Sequence, residues 1–444
     1  MRVYKLLLIA LSCLTLPFTA LAQETKVPNA PVLSLKDALD SALQNNFNIK
    51  ISRNSSAIAS NNVTIGNAGI LPLVTGNYTL SNSIQTTTQT RSDNTVNNII
   101  NANNRNNSYG VGLDWTIFDG FNMFATYDRL KELEKLGRVR TQDTVLQTVA
   151  SVMTTYYDLV NQQKQIKALK GVIDISRKQI RYAQDRFEAG RVARLDVYNA
   201  QVALNTDTAT LIGQQQQFKA SKIELNRLLS RNAETEFNVA DTILVDEQLK
   251  LGPIIEQAQV QNPTLLSASI NRRLSDINLK QVRSSRYPLI GVSSGYQFNN
   301  SRNPAGFARL QNARGFTYGL NATINIFDGF NQWRRERNAK LQIANAQINI
   351  ARTRNDVEAQ ISTLYSSYLS GLELIKAGRA NVDIARKSLE ISLEKYRLGA
   401  ITPLEIREAQ RNYLNATLIF YDAEFQSKAA EITLKQITGK MGIE

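Results

Sequence analysis

The sequence contains no histidine. That absence removes the Ser–His–Asp triad, the Cys–His pair and the commonest zinc sites. Its one cysteine, Cys13, lies in the N-terminal apolar stretch, so the remainder has neither thiol nor disulfide. Cys13 also stands too early, and in the wrong context, to be a lipid-bearing first residue. Such a chain draws its stability from packing or from assembly. Carboxylates are present, but no spacing singles out an acid/base couple. The inventory argues against an enzyme and points to no cofactor or metal. Proline is scarce: nine residues, none between 73 and 252 or between 305 and 402, which permits very long helices. Long apolar runs are missing too. Nothing after the first 22 residues reaches the roughly 18 consecutive apolar residues of a membrane helix. The chain is soluble, or it enters a membrane by another route. Acidic residues are outnumbered, with a net charge of +14. The basic residues are mixed with Asp and Glu, which reads as solvated helix faces and not as a nucleic-acid surface.

What is present begins with an export signal. Arg2 and Lys5 precede an apolar run that ends in Ala20-Leu21-Ala22 before Gln23. This reads as a secretory signal peptide over 1–22 with a small-residue cleavage site. A short N-terminal segment follows at 23–33.

The rest is written twice. "IFDGFN" occurs at 117–122 and again at 326–331, an offset of 209. "RFEAGRVARLDVYNAQ" at 186–201 aligns with "KYRLGAITPLEIREAQ" at 395–410 at the same offset. Upstream, "ALQNNFNI" near Ala42 matches "AQVQNPTL" near Ala258 at an offset of 216, and Pro72 matches Pro288. The organisation is therefore a first repeat at 34–231, a linker at 232–252, a second repeat at 253–439 and a tail at 440–444. Each repeat reads helix, hairpin, very long helix, turn, helix. Residues 34–69 read as one helix, and Asp119 to about Gly190 as a single long one. In the latter, Val145, Val149, Val152, Tyr156, Leu159, Ile166, Leu169 and Ile173 recur at helical spacing. Seventy residues would span about 105 Å. Gly137 and Gly171 are expected to weaken or bend it. Asp328 to Gly399 and Pro403 to Gly439 repeat the plan.

The strands alternate over unusual lengths. Tyr109, Val111, Leu113, Trp115 and Ile117 share one face, against Ser108, Gly110, Gly112, Asp114 and Thr116. Phe316, Tyr318, Leu320, Ala322, Ile324 and Ile326 behave in the same way. Strands are expected at about 73–84, 108–118, 289–299 and 315–327, with polar loops at 86–107 and 299–314. A tilted strand of about 9–11 residues crosses a bilayer. An apolar aromatic face opposite Gly, Ser, Thr and Asn fits lipid outside and water inside. Four strands cannot close a barrel, and lipid forbids an open sheet edge. Two chains would supply eight strands and a lumen filled by side chains; three would supply twelve and leave room for a channel. At the repeated hexapeptide a strand hands over to a helix. Asp119 and Asp328 can cap that helix, with Gly120 and Gly329 easing the change of direction.

In this order the signal, the two repeats, the strand–"FDGFN"–helix joints and the two tip motifs resemble the TolC-like outer-membrane efflux proteins, over nearly all of the mature chain. The resemblance implies a fold that is mainly α with a membrane β-barrel. A homotrimer would form a 12-stranded outer-membrane barrel continued by a 12-helix periplasmic α-barrel. It implies a passive exit channel of a tripartite efflux or type I secretion system, with outer-membrane lipid around it and no nucleic acid. A periplasmic adaptor and an inner-membrane pump would dock at the helical tips. Gly190 and Gly399 match the family's tip turns, with Pro403 close by. Asp196 and Tyr396 match a pair that helps hold the mouth shut. Ile401 stands where the best-known member has an Arg, so one latch is missing. Glu405 and Glu408 match the acids ringing the constriction, six carboxylates in a trimer, a ring that favours cations. The competing class is a periplasmic coiled-coil adaptor or scaffold without a pore, which the long alternating strands disfavour.

Overall fold

The structure is a computed structural model describing residues 31–441 apart from 241, 305 and 307. The signal peptide at 1–22 and the last three residues of the tail lie outside the described residues. The element order is α1 (Leu35–Asn45), α2 (Phe47–Asn61), β1 (Leu73–Thr90), β2 (Val96–Asp119), α3 (Asn122–Glu188) and α4 (Arg194–Leu228). Then follow α5 (Leu251–Gln261), α6 (Pro263–Ser284), β3 (Leu289–Arg302), β4 (Leu310–Thr323), α7 (Asn331–Leu398) and α8 (Pro403–Ile437). Six elements are thus repeated in the same order.

The helix expected over 34–69 is two helices, and the reason is one side chain. Asn46 Oδ1 accepts from the amides of Asn48 and Ile49, capping α2, while its Nδ2 donates to the Leu228 carbonyl at the end of α4. Asn262 repeats the arrangement 216 residues later. It caps α6 through the Thr264 and Leu265 amides and donates to the Ile437 carbonyl at the end of α8. Each Asn is buried and satisfies peptide groups at two helix ends that would otherwise be orphaned.

α3 and α7 have 67 and 68 residues, about 100 Å each. α3 runs unbroken through Gly137 and Gly171. A Cβ on Gly137 would meet Ser56 and Ala59 of α2 at 3.4 Å, so this glycine serves close helix packing. α4 and α8, of 35 residues, cover only one half of each long helix; α2 and α6 pack beside the other half. Where the halves meet lie two matching cores. One joins α1, α3, α4 and the linker through Val152, Leu159, Leu225 and Phe237; the other joins α5, α7 and α8 through Ile254, Ile361, Tyr368 and Leu434. Tyr156 donates to the Leu33 carbonyl at 2.9 Å, and Tyr365, its counterpart, to the Leu249 carbonyl at 3.2 Å. The linker is a packed strap: buried Glu431 of α8 accepts from Lys428, Lys435 and the Asp246 amide.

The four strands form one antiparallel sheet in the order β1-β2-β3-β4, leaving β1 and β4 as edges. Across it run rows of one face: Tyr78–Tyr109–Phe298–Arg314, then Gly76–Val111–Tyr296–Phe316, then Val74–Leu113–Ser294–Tyr318. The other face has rows such as Asn77–Gly110–Gln297–Gly315 and Thr75–Gly112–Gly295–Thr317. The polar loops expected at 86–107 and 299–314 are mostly strand, with turns only at 91–95 and 303–309. Backbone pairing sustains this extension, with Thr88 and Thr86 adding bonds to Asn98 and Asn101 across it, and Asn101, at φ 54°, lies where the β1–β2 register slips. β4 ends at Thr323 and not at 327. Its partner β3 starts at Leu289, opposite Thr323, so 324–327 find no neighbour on that side.

At the joints Gly120 and Phe121, and Gly329 and Phe330, all take positive φ. The caps are residues Phe121 and Phe330, without side-chain bonds of their own. Asp119 Oδ1 accepts from the Met123 amide at 3.1 Å, whereas Asp328 takes Arg335 at 3.0 Å and makes no helix cap. A Cβ on Gly120 would lie 2.2 Å from the Ser284 carbonyl oxygen; none at Gly329 would be so obstructed.

Asn262→Ala should cost about 2–4 kcal/mol, since it removes a double cap and strands the Ile437 carbonyl. The measurement is the denaturant midpoint of the detergent-solubilised protein, and Asn46→Ala should act alike.

Candidate functional site

The two helical tips close in the same way. The chain reverses at Gly190 (φ 68°) and Gly399 (φ 86°). Arg191 and Ala400 return hydrogen bonds to the carbonyls of Arg186 and Lys395, while the glycine amides bond Phe187 and Tyr396. These are Schellman turns, which consume the last free carbonyls of α3 and α7.

Beyond the glycines the tips diverge. Thr402 caps α8 with a complete capping box: the Glu405 amide donates to Thr402 Oγ1, and the Glu405 carboxylate accepts from the Thr402 amide at 2.7 Å. Pro403 takes the first helical position, where its missing N–H costs nothing. α4 starts at Ala193, which has no side-chain cap. Asp196 occupies the position equivalent to Glu405, and its side chain makes no hydrogen bond or ion pair among the described residues. The Glu405 carboxylate is therefore committed to its own helix. Glu408 is exposed, one turn further on.

Tyr396 is buried, with only 2% of its surface exposed. The group on its ring is the Arg186 guanidinium, 5.0 Å from the centroid. No hydrogen bond joins it to Asp196 among the described residues. Burial pushes the Tyr396 phenol above its ordinary value; Arg186 opposes that, and the Asp196 charge adds to it. Asp196 is therefore near enough to be felt. Arg186 also lies over the second turn, where a Cβ on Gly399 would be 2.5 Å from its Nη2. The side chain thus couples the end of α3 to the end of α7. Ile401 joins Tyr396, Leu389 and Ile406 in a small apolar cluster.

One turn inward lies a network that sequence reasoning missed. Arg407 of α8 grips Asp207 of α4 with two bonds of 2.8 Å. Ser176 of α3 donates to the same carboxylate at 2.7 Å. Gln410, 1% exposed, donates to Ser176 Oγ and the Val172 carbonyl and accepts from Gln179 and Arg407. Three helices are thereby tied by a buried, satisfied polar cluster. The available signal was position: Arg407 and Gln410 stand in the repeated tip motif, and the first repeat has Tyr198 where the second has Arg407. Asp207 itself reads like any solvated helix acid. A cavity of about 230 Å³ beside this cluster separates α4 from the start of α8.

The tips also expose apolar residues. Leu195 and Leu404, equivalent in the two repeats, are 63% and 77% exposed, and Leu398 is comparable. Among the described residues no group of His, Cys, Asp or Glu could hold a metal, and no helix is long and apolar enough to cross a membrane.

The sequence profile of the family described as "Outer membrane efflux protein" matches residues 38–231 and 254–440. The chain is 23% identical over 418 residues to the outer membrane efflux protein BepC of Brucella suis, covering 92% of this chain and 86% of that one. The fold is similar to that of the Campylobacter jejuni CmeC outer membrane channel, with a TM-score of 0.76 at 18% identity, covering 91% of this chain and 85% of CmeC. It is equally similar to the outer membrane protein VceC of Vibrio cholerae, with a TM-score of 0.75 at 14% identity over 91% and 96% of the two chains.

Hydrogen bonds from Thr402 hold the Glu405 carboxyl below its ordinary 4.5. A depressed acid stabilises above its unfolded value and loses that contribution as pH falls through the folded one. The first turn of α8 should therefore fray below pH 4.5. Glu405→Gln keeps a capping box without the titration. Amide exchange at Thr402 and at 404–406, corrected for its intrinsic pH dependence, should accelerate in acid in the native chain and not in the variant.

Proposed function

Because this chain belongs to the outer membrane efflux protein family, we propose that three copies form one outer-membrane exit duct for a tripartite efflux or type I secretion machine. The carrying observation is the sheet. Its edges β1 and β4 are unpaired, one face is apolar and aromatic, and the other is Gly, Ser, Thr and Asn. β4 of one copy pairs with β1 of the next, which removes every edge. Three copies suit the inner face better than two. An eight-stranded barrel is filled by its side chains, and rows containing Gly110, Gly112, Gly295 and Gly315 would leave it hollow.

The helices continue the barrel as a tunnel. A groove of about 700 Å³ between α2 and α3, lined by Ile51, Ile58, Leu130 and Leu136, seats the exposed apolar side of a neighbouring α7, with Leu341 and Ile348. The far tips form the mouth. Within each copy the Asp207–Arg407 clamp and the Arg186–Tyr396 contact hold the two hairpins together. Opening breaks them, and Asp196, Tyr396, Glu405 and Glu408 lie along that aperture. The duct does no chemistry. A separate inner-membrane pump supplies energy, and an adaptor that binds the spread tips more tightly than the closed ones shifts the balance toward the open state. Leu195 and Leu404 are the apolar contacts offered to it.

Native mass spectrometry in detergent should give a trimer; a stable monomer would refute the assembly. In planar bilayers Asp207→Asn should raise single-channel conductance severalfold, by weakening a charge-assisted bidentate pair worth about 1.5–3 kcal/mol per bond. Unchanged conductance would remove the clamp from the gate. A Leu195→Asp/Leu404→Asp variant should still assemble and conduct, yet fail to restore efflux to a strain lacking the duct.

A further inference from the structure

The apolar face of the sheet carries charge of one sign. The acids of the strands and their hairpin are Asp93, Asp114 and Asp119. Asp93 lies in the turn, Asp114 on the glycine-rich face and Asp119 at the helix joint. On the aromatic face stand Arg105, Arg302 and Arg314, all exposed, with no ion pair or hydrogen bond to their side chains among the described residues. Arg105 and Arg302 are direct cross-strand partners. Such partners hold their Cβ atoms about 4.5–5.5 Å apart, and like charges so placed repel. Nothing on the neighbouring strands compensates: the row continues to Asn82 on one side and Leu310 on the other.

The level of this pair matters. It lies four residues beyond the row of Tyr78, Tyr109 and Phe298, about 13 Å along the strand and less in height once the strands tilt. Below the aromatic row come Val111, Leu113 and Trp115. Arg314 stands in the aromatic row itself and can extend toward the same level. Aromatic rows mark the boundary between hydrocarbon and headgroups. The arginines therefore sit where lipid phosphates lie.

We propose that Arg105 and Arg302, assisted by Arg314, form a binding site for lipid headgroups of the outer leaflet that carry a net-anionic phosphate, one per protomer. The inference rests on the barrel reading above. A guanidinium fork matches two phosphate oxygens, and a shared anion converts the Arg–Arg repulsion into attraction. The lipid is favoured over a free phosphate ion because the site is open on the hydrocarbon side and continuous with the rows that would lie along acyl chains.

The test uses the full-length protein in detergent, titrated with phosphatidic acid or phosphatidylcholine and followed by native mass spectrometry. The native trimer should retain phosphatidic acid about tenfold better than Arg105→Gln/Arg302→Gln. Phosphatidylcholine should bind both alike, and inorganic phosphate should not displace the lipid. The single variant Arg302→Gln should show a smaller loss in the same direction, which keeps the test open if the double variant assembles poorly. Equal retention by native and variant trimers, or displacement by inorganic phosphate, overturns the site. Conductance recorded on the same samples separates the two readings. Native trimers that conduct without preferring phosphatidic acid defeat the headgroup site alone. Native protein that neither assembles nor conducts defeats the barrel, and the site with it.

Discussion

The bare edges of the sheet govern the rest of the molecule. A strand edge presents a row of peptide groups, and hydrocarbon offers them no partner. Each copy carries two such edges and an apolar face, so it is incomplete alone. The same incompleteness recurs in the helices, where Ile51 and Ile58 of α2 and Leu341 and Ile348 of α7 stand exposed. The chain has no cysteine after Cys13 to form a disulfide, and within one copy its paired cores and fasteners carry the packing. What each copy must secure by itself is the geometry that brings its edges to the right place, and the joints, the Asn fasteners and the paired cores do that.

The two repeats share the fasteners of their cores and differ at their tips. Asn46 and Asn262, Tyr156 and Tyr365, and the two Schellman turns are matched almost bond for bond. The tips are not. α8 begins with a full capping box and a proline; α4 begins at an uncapped alanine. The Asp207–Arg407 clamp has no counterpart, since the equivalent positions are Ala416 and Tyr198. A duplication that began symmetric has one capped tip and one uncapped tip, tied by the Asp207–Arg407 clamp and by the Arg186–Tyr396 contact.

Much of this was legible in the residues. The duplication, the element order and the four strands follow from periodicity and from repeated words, because period-2 and period-3.6 patterns survive in any one chain. The break at Asn46 was not legible, although "QNN" and "VQNP" were in plain view: a helical pattern runs through it, and only the distant Leu228 carbonyl explains the interruption. The strands beyond 86 and 299 carry little period-2 alternation of apolar and polar residues, so only the paired backbone shows them. The role of Glu405 as a cap is written in "TPLE", a Thr followed three residues later by a Glu. Asp207 and Arg407 stand 200 residues apart, and nothing local marks either as buried. Arg186 was hidden for the same reason.

The near-equal lengths of α3 and α7 have one more consequence. Both start at the same kind of joint, and they differ by a single residue, or about 1.5 Å of rise. Their far ends therefore finish at one depth. In a threefold assembly six helix ends would make a level rim, although they come from two unlike repeats. A ring-shaped partner could seat on such a rim with all its contacts in a single plane, and a deletion of one helical turn from either long helix alone would drop three of the six ends by about 5.4 Å and leave the rim scalloped.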